Sequence, residues 1–193
     1  MRKIIAITQL TLDGVMQGPG GAEEDTTDEF NQGGWAMRFG DDVLLKTLNE
    51  TAAGTYDMLL GRWTYDLFAS YWPKHLDNPV GAGFEKATKY VVTTRPGPLN
   101  WSPSQRVGGT DVLDGVRKLK VSDGPELHIW GSHRLLQVLI AGGLVDEHRL
   151  WIAPIIVGRG KRLFEADLPP RDFKLIDSVR TPSGLLLNTY RPS

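Results

Sequence analysis

Three short stretches put small and basic residues directly after apolar runs: Leu60-Gly61-Arg62-Trp63-Thr64, Val92-Thr93-Thr94-Arg95 and Trp130-Gly131-Ser132-His133-Arg134-Leu135. A glycine turn between a strand and a helix leaves the first N–H groups of the helix unpartnered. These groups, with the partial positive charge of the helix end, suit a phosphate. Arg62 and Arg95 can each grip a phosphate through two parallel hydrogen bonds, and the threonine hydroxyls add further donors. A ligand with a pyrophosphate and a separate phosphate would use all three stretches. Taken singly, each is equally an ordinary strand-to-helix junction or a solvated arginine.

Other chemistries find little support. No Gly-x-Gly-x-x-Gly follows the first apolar run, and there is no Walker sequence, His-Glu-x-x-His pair or Gly-x-Ser-x-Gly elbow. Ser132 stands beside His133, but adjacent residues at a helix start point in different directions. Ser132 therefore reads as an N-cap before it reads as a nucleophile. The chain has no cysteine and only four histidines, so thiolate chemistry is excluded and no metal site is expected.

The elements that must position these residues follow from patterning. Lys3 to Thr8 is a short apolar run suited to a strand buried on both faces. Glycine-punctuated loops lead to a helix from Asp41 to about Ala53, with Asp41 and Asp42 favourable at its amino end. A strand Tyr56 to Leu60, a helix stopped by Pro73, a short helix or turn from Phe84 and a strand Tyr90 to Thr93 come next. Arg106-Val107 precedes the paired glycines Gly108-Gly109, and a helix runs from about Asp111 to Lys120. Leu127 to Trp130 reads as a strand, Ser132 to Ile140 as a helix and Arg149 to Val157 as a strand. A hairpin turning at Thr181-Pro182-Ser183-Gly184 closes the chain. Strands alternating with helices predict one α/β domain with a mostly parallel sheet and an antiparallel C-terminal hairpin. The 193 residues carry a net charge of −1, which argues against a nucleic-acid binder. The first apolar run is too short for a signal peptide or a membrane span, so a cytoplasmic protein is expected.

Gly33-Gly34-Trp35, Phe39, Tyr65 and Trp72 could wall an aromatic pocket for a flat, conjugated substrate; for Tyr65 and Trp72 core packing is the simpler role.

Five motifs stand in a fixed order: Leu12-Asp13-Gly14-Val15, Leu60-Gly61-Arg62-Trp63-Thr64-Tyr65, Gly131-Ser132-x-x-Leu135, Gly143-Leu144-Val145-Asp146-Glu147, and Pro154-x-x-x-Gly158-x-Gly160-Lys161-Arg162-Leu163-Phe164. In this set the chain resembles the dihydrofolate-reductase-like superfamily, and within it the stand-alone bacterial proteins related to the C-terminal reductase domain of RibD. The resemblance implies NADPH as cofactor, a small heterocyclic or carbonyl substrate and a homodimer. It implies that Ala6, Gly14 and Gly18 line the nicotinamide. Gly61, Arg62, Trp63 and Thr64 would meet the pyrophosphate and the adenosine phosphate, with Thr93, Thr94 and Arg95 around the 2′-phosphate. Gly131, Ser132, His133, Arg134 and Leu135 would hold the pyrophosphate, and Trp35, Phe39 and Trp130 would face the substrate.

The chain also departs from the family pattern. The riboflavin reductase has a glutamate against its pyrimidine substrate where this chain has Trp130. Asp41 or Asp42 could stand in for the acidic residue that binds pterin in dihydrofolate reductase, although favouring the helix dipole is the simpler role. The proton accompanying hydride transfer would come from Asp13, from Asp41 or Asp42, or from water. Two rivals stay open: a ligand-binding protein on the same fold without turnover, and a flavin-using reductase.

Overall fold

In the computed structural model, which describes residues 1–108 and 111–193, eight strands form one sheet. The strands are β1 (Ile4–Thr11), β2 (Tyr56–Gly61), β3 (Lys89–Val92), β4 (Ser104–Val107), β5 (Glu126–Trp130), β6 (Glu147–Ala153), β7 (Phe173–Arg180) and β8 (Leu186–Pro192). Their spatial order is β4-β3-β2-β5-β1-β6-β8-β7, parallel from β4 to β6 and antiparallel at β8 and β7. Five helices accompany them: α1 (Asp42–Ala53), α2 (Arg62–Tyr71), α3 (Pro79–Lys86), α4 (Val112–Val121) and α5 (His133–Ala141). The expected α/β architecture with its closing hairpin is what the chain forms.

The boundaries moved where pairing overrode local pattern. β1 runs on to Thr11 because β6 continues to pair with it, and β6 stops at Ala153, short of Val157. α3 starts earlier than expected, with Asn78 accepting from the Val80 amide at 2.9 Å and Pro79 in its first turn. Of the paired glycines before α4, Gly109 lies outside the described residues.

The sheet separates two apolar layers. On one face Ile5, Ile7, Met58, Leu60, Trp130 and Trp151 pack beneath α1, α2 and α3. On the other, Ile4, Ala6, Leu10, Leu127 and Ile129 pack against α4 and α5. In α5 the residues Leu135, Leu136, Leu139 and Ile140 are all buried, which is why that stretch coils as it does. Fully burying each such side chain contributes roughly 1.5–3 kcal/mol.

One irregularity in the ladder positions the site. β1 pairs with β5 only as far as Ile7 opposite Trp130, yet pairs with β6 through Thr11 opposite Ala153. Beyond Ile7, β1 and β5 part. The connection from β1 runs through α1 on one face and that from β5 through α5 on the other. A crevice at such a topological switch, outside the carboxyl ends of the strands, is where open α/β sheets bind ligands.

Candidate functional site

The three expected anion-binding strand ends are neighbours. β3, β2 and β5 lie side by side and parallel, so Thr93, Gly61 and Gly131 open on the same edge of the sheet. The junctions at Gly61 and Gly131 are also tied together. The Gly61 amide donates to Ser132 Oγ at 3.1 Å, and the Ser132 amide donates to Thr64 Oγ1 at 3.0 Å. Thr64 and Ser132 are thus spent on holding two helix starts side by side. Gly131 and Ser132 both have left-handed backbones, at φ 59° and 56°. This conformation is easy for glycine and uncommon for serine.

Ser132 does occupy the N-cap position of α5, but its side chain caps nothing there. Its hydroxyl bridges Gly61 and the Trp130 carbonyl instead. No side chain caps α2 either. Two adjacent helix amino ends without side-chain caps form a donor set suited to a pyrophosphate.

Arg62 lies at the first position of α2, where its Nε donates to both carboxylate oxygens of Asp66 at 2.8 and 2.9 Å. Its Nη1 is buried without a partner, a donor that an anion would satisfy. Thr93 is buried and accepts from the Arg95 amide at 3.0 Å, while Thr94 and Arg95 are exposed. Trp63 projects into solvent at 56% exposure. Arg106 was not anticipated as part of the site: from β4 it donates to the carbonyls of Arg95 and Gly97, bracing the loop that carries Arg95. Its basic side chain beside a short strand was the available sequence signal.

The residues present therefore fit a phosphorylated dinucleotide at the β2 and β5 ends. The family model for the RibD C-terminal domain matches residues 2–187. This chain belongs to that family. It is similar to the uncharacterized protein YyaP of Bacillus subtilis (strain 168), with 29% identity covering 98% of this chain and 94% of the relative. Among solved structures, it is similar to a protein named for riboflavin biosynthesis from Shewanella sp. PV-4 (TM-score 0.69, 20% identity, 99% of both chains). It is also similar to dihydrofolate reductase from Enterococcus faecalis complexed with NADP(H), with TM-score 0.61, 16% identity and coverage of 99% of this chain and 96% of the other. A third is the bifunctional deaminase and 5-amino-6-(5-phosphoribosylamino)uracil reductase of Thermotoga maritima. There the TM-score is 0.64 at 13% identity, over 100% of this chain and 57% of that one. These three likenesses show the dihydrofolate-reductase-like fold.

Within this RibD-type domain some expected residues sit elsewhere than the motifs suggested. Ala6 is fully buried in mid-strand, paired with Ile129 and His148, and packs in the layer of α5. Its side chain faces the core, and the free end of β1 begins beyond Ile7.

Asp13 is wholly engaged. It accepts from Thr11 Oγ1 at 2.6 Å and from the amides of Val157 and Gly158 at 3.3 and 2.9 Å, and Arg162 lies 3.5 Å away. Desolvation alone would raise its pKa, but the hydrogen bonds from Thr11, Gly158 and Val157 outweigh it and hold the group below its ordinary value. A carboxylate so held has no proton to give at neutral pH.

Asp41 is occupied in the same way. It caps α1 through the Leu44 amide at 2.9 Å and accepts from the Ser183 amide at 2.9 Å, and the nearby Ser183 hydroxyl first, then the Leu44 amide, drive its pKa well down. Asp42 is exposed on the first turn of α1.

His133 turns away from the helix end toward the loop after β6, contacting the Arg162 carbonyl at 3.1 Å and Glu165 at 3.0 Å. Arg134 is exposed and Leu135 buried. The loop from Leu12 is fixed by the Asp13 contacts, by Lys161 on Asp25 at 2.6 Å, and by Gln17, whose Oε1 accepts from the Lys161 amide at 3.0 Å. Gly14 and Gly18 lie in it with left-handed backbones at φ 81° and 54°.

The aromatic wall forms in part. Trp35 is 1% exposed and donates from Nε1 to the Gln17 carbonyl at 2.8 Å. With Gln9, Ala36, Leu44, Trp151 and Leu185 it lines a small recess with about 10 Å³ of enclosed space, room for a single water. Phe39 is half-buried against the same layer, and its carbonyl accepts from Ser183 Oγ at 2.7 Å. Tyr65 is a core residue and Trp72, partly buried, packs against the same core, in line with the packing role. Gln9 and Trp151, opposite one another on β1 and β6, were not anticipated.

Proposed function

We propose that this chain is an NADPH-dependent reductase of a small planar heterocycle. The observation that supports it is the crevice where β1 and β5 part, flanked by two helix amino ends that Ser132 and Thr64 hold together. The enzyme of known NADP(H) content on this fold, the Enterococcus faecalis reductase, agrees with the reading.

When bound, NADPH would supply the hydride. The chain's own residues do the rest. The free amides at the starts of α2 and α5 would bind the pyrophosphate, and Arg62, Thr93, Thr94 and Arg95 the second phosphate. Gly14 and Gly18, with their left-handed backbones, would shape the first loop beside the nicotinamide end. Trp35, Trp151 and Leu44 would back an apolar wall against which a flat ring could rest, the recess between them being too small to enclose it. With Asp13 and Asp41 held ionised, water admitted beside Gln9 is the proton source this reading favours. The apolar side chains Leu175, Ile176 and Val179 exposed on β7, with Leu186 on β8, support a homodimer formed across that edge.

Titration of the protein with NADPH and NADH, following tryptophan quenching, tests the reading. Saturation at micromolar NADPH with weaker NADH binding is expected. Oxidation of NADPH in the presence of pteridines or pyrimidines would then mark turnover. No NADPH binding overturns the proposal, and tight binding without turnover on any heterocycle would favour a ligand-binding role.

A further inference from the structure

Lys89 opens β3 with its side chain wholly buried, opposite Met58 of β2 and Ser104 of β4. Its ammonium donates to the Glu85 carbonyl, in the last turn of α3, at 2.9 Å and to the Ser102 carbonyl at 3.3 Å. It also lies 4.2 Å from the centre of the Trp101 ring. The Glu85 carboxylate is turned elsewhere, accepting from Trp101 Nε1 at 2.6 Å. The charge therefore rests on two carbonyls and a ring. A buried ammonium without a counter-ion in contact is poorly compensated, even over an aromatic face.

The cover over this charge is the connection from β3 to β4. Trp101 is buried there, and its amide donates to Tyr65 Oη at 2.7 Å, while residues 94–98, Ser102 and Pro103 are exposed. Besides the Arg106 grip on Arg95 and Gly97, the hydrogen bonds anchoring the connection gather between Trp101 and Pro103. On the other side of the ammonium, α3 is fastened by Phe84, which is buried between Trp72 and Trp130. When one side yields, it is the connection, and its lifting returns the ammonium to water.

Burial pushes the Lys89 pKa down from 10.5 to about 8, against the opposing support of the Glu85 charge. The other ionisable groups on the packed elements are Lys86 of α3, Tyr65 of α2, Asp57 of β2 in its pair with Arg2, and Arg106 of β4. Of all these, Glu85 is the one whose charge acts on the amine. Lifting the connection restores the ordinary value, so the closed form binds fewer protons than the open one between about pH 8 and 10.5. Rising pH therefore favours closure.

We propose that Lys89 is a proton-operated latch on the β3–β4 connection, its charged form favouring release of residues 94–103 and its neutral form holding them closed. Thr94 and Arg95 stand at the far end of the same connection, so the order of that sheet edge follows the protonation of one lysine.

Hydrogen exchange of the full chain, resolved by mass spectrometry and corrected for intrinsic rates, tests the latch. Opening of residues 94–104 is expected to fall roughly tenfold from about pH 7 to about pH 9, while α5 shows no such fall. Lys89→Met keeps the length of the side chain without its charge, and should open less at neutral pH and lose the slope. Glu85→Gln keeps an acceptor for Trp101 Nε1 but removes the supporting charge, and should move the fall to lower pH. Should Lys89→Met fail to fold, the wild-type slope and the Glu85→Gln displacement decide. Opening that is level or rises with pH, a slope matched in α5 or surviving in Lys89→Met, or an unmoved profile in Glu85→Gln overturns the inference.

Discussion

Ser132 accepts a hydrogen bond from the Gly61 amide at 3.1 Å across 71 positions of sequence, and returns its own amide to Thr64 at 3.0 Å. The pair fixes the spacing of two helix starts. Ser132→Ala leaves the Gly61 amide without its buried acceptor, at about 1–3 kcal/mol, and frees the two ends to drift. NADPH affinity measured by calorimetry should fall, and Thr64→Val should lower it similarly. The double variant should lose less than the sum, because both changes open one junction.

On the proposed reading, Arg62 would decide which nicotinamide cofactor is preferred. Its Nε is committed to Asp66 but its buried Nη1 is not. Arg62→Ala should weaken NADPH by roughly ten- to a hundredfold, the loss of a charged hydrogen bond, and leave NADH nearly unchanged. Equal losses for both cofactors would place the arginine at the pyrophosphate instead.

His148 makes the fold acid-sensitive. Desolvation lowers its pKa from 6.5 to about 4, so the ring stays neutral in the folded chain where the unfolded chain would protonate it. Stability is therefore full above pH 6.5 and falls as pH drops toward 4. His128 is shifted the same way, again chiefly by desolvation. Urea midpoints should decrease between neutral pH and about pH 5. His148→Phe, whose ring can keep the contacts with Phe164 and Phe173, should flatten that slope without abolishing it.

β7 exposes Leu175 at 55% and Ile176 at 47%, a high price in wetted apolar surface for one edge strand. Sedimentation of the wild type should show a dimer. Leu175→Glu should yield a monomer of unchanged circular dichroism, while a wild-type monomer would remove the dimer from the reading.

Local chemistry was legible where short-range rules decide it. Gly61, Gly131 and Asp41 announced helix starts, and the turn at Thr181 closed with the Gly184 amide on the Thr181 carbonyl at 3.0 Å as its residues required. The crevice was not legible, because the parting of β1 from β5 depends on which strands become neighbours. No local signal says how far along a strand its partner stops. Lys89 is a harder case. It is fully buried at the start of β3, its ammonium donating to the Glu85 and Ser102 carbonyls and lying 4.2 Å from the Trp101 ring centre. All of those partners come from outside its own strand.

Asp13 separates a positioning role from a catalytic one. Its carboxylate receives the Gly158 amide 145 positions away and faces Arg162, which also donates to the Asp13 carbonyl. These contacts lash the Leu12 loop to the segment after β6. Asp13→Asn keeps the shape but loses the charge, leaving Arg162 and the Gly158 amide with a weaker acceptor. The loop should loosen, so that KM for NADPH rises several-fold and the unfolding temperature drops by a few degrees, as expected for about 1 kcal/mol. The pH profile of kcat should keep its shape, because a group already ionised donates no proton in the reaction. Were Asp13 the acid, kcat itself would collapse and the acidic limb of the profile would vanish with it.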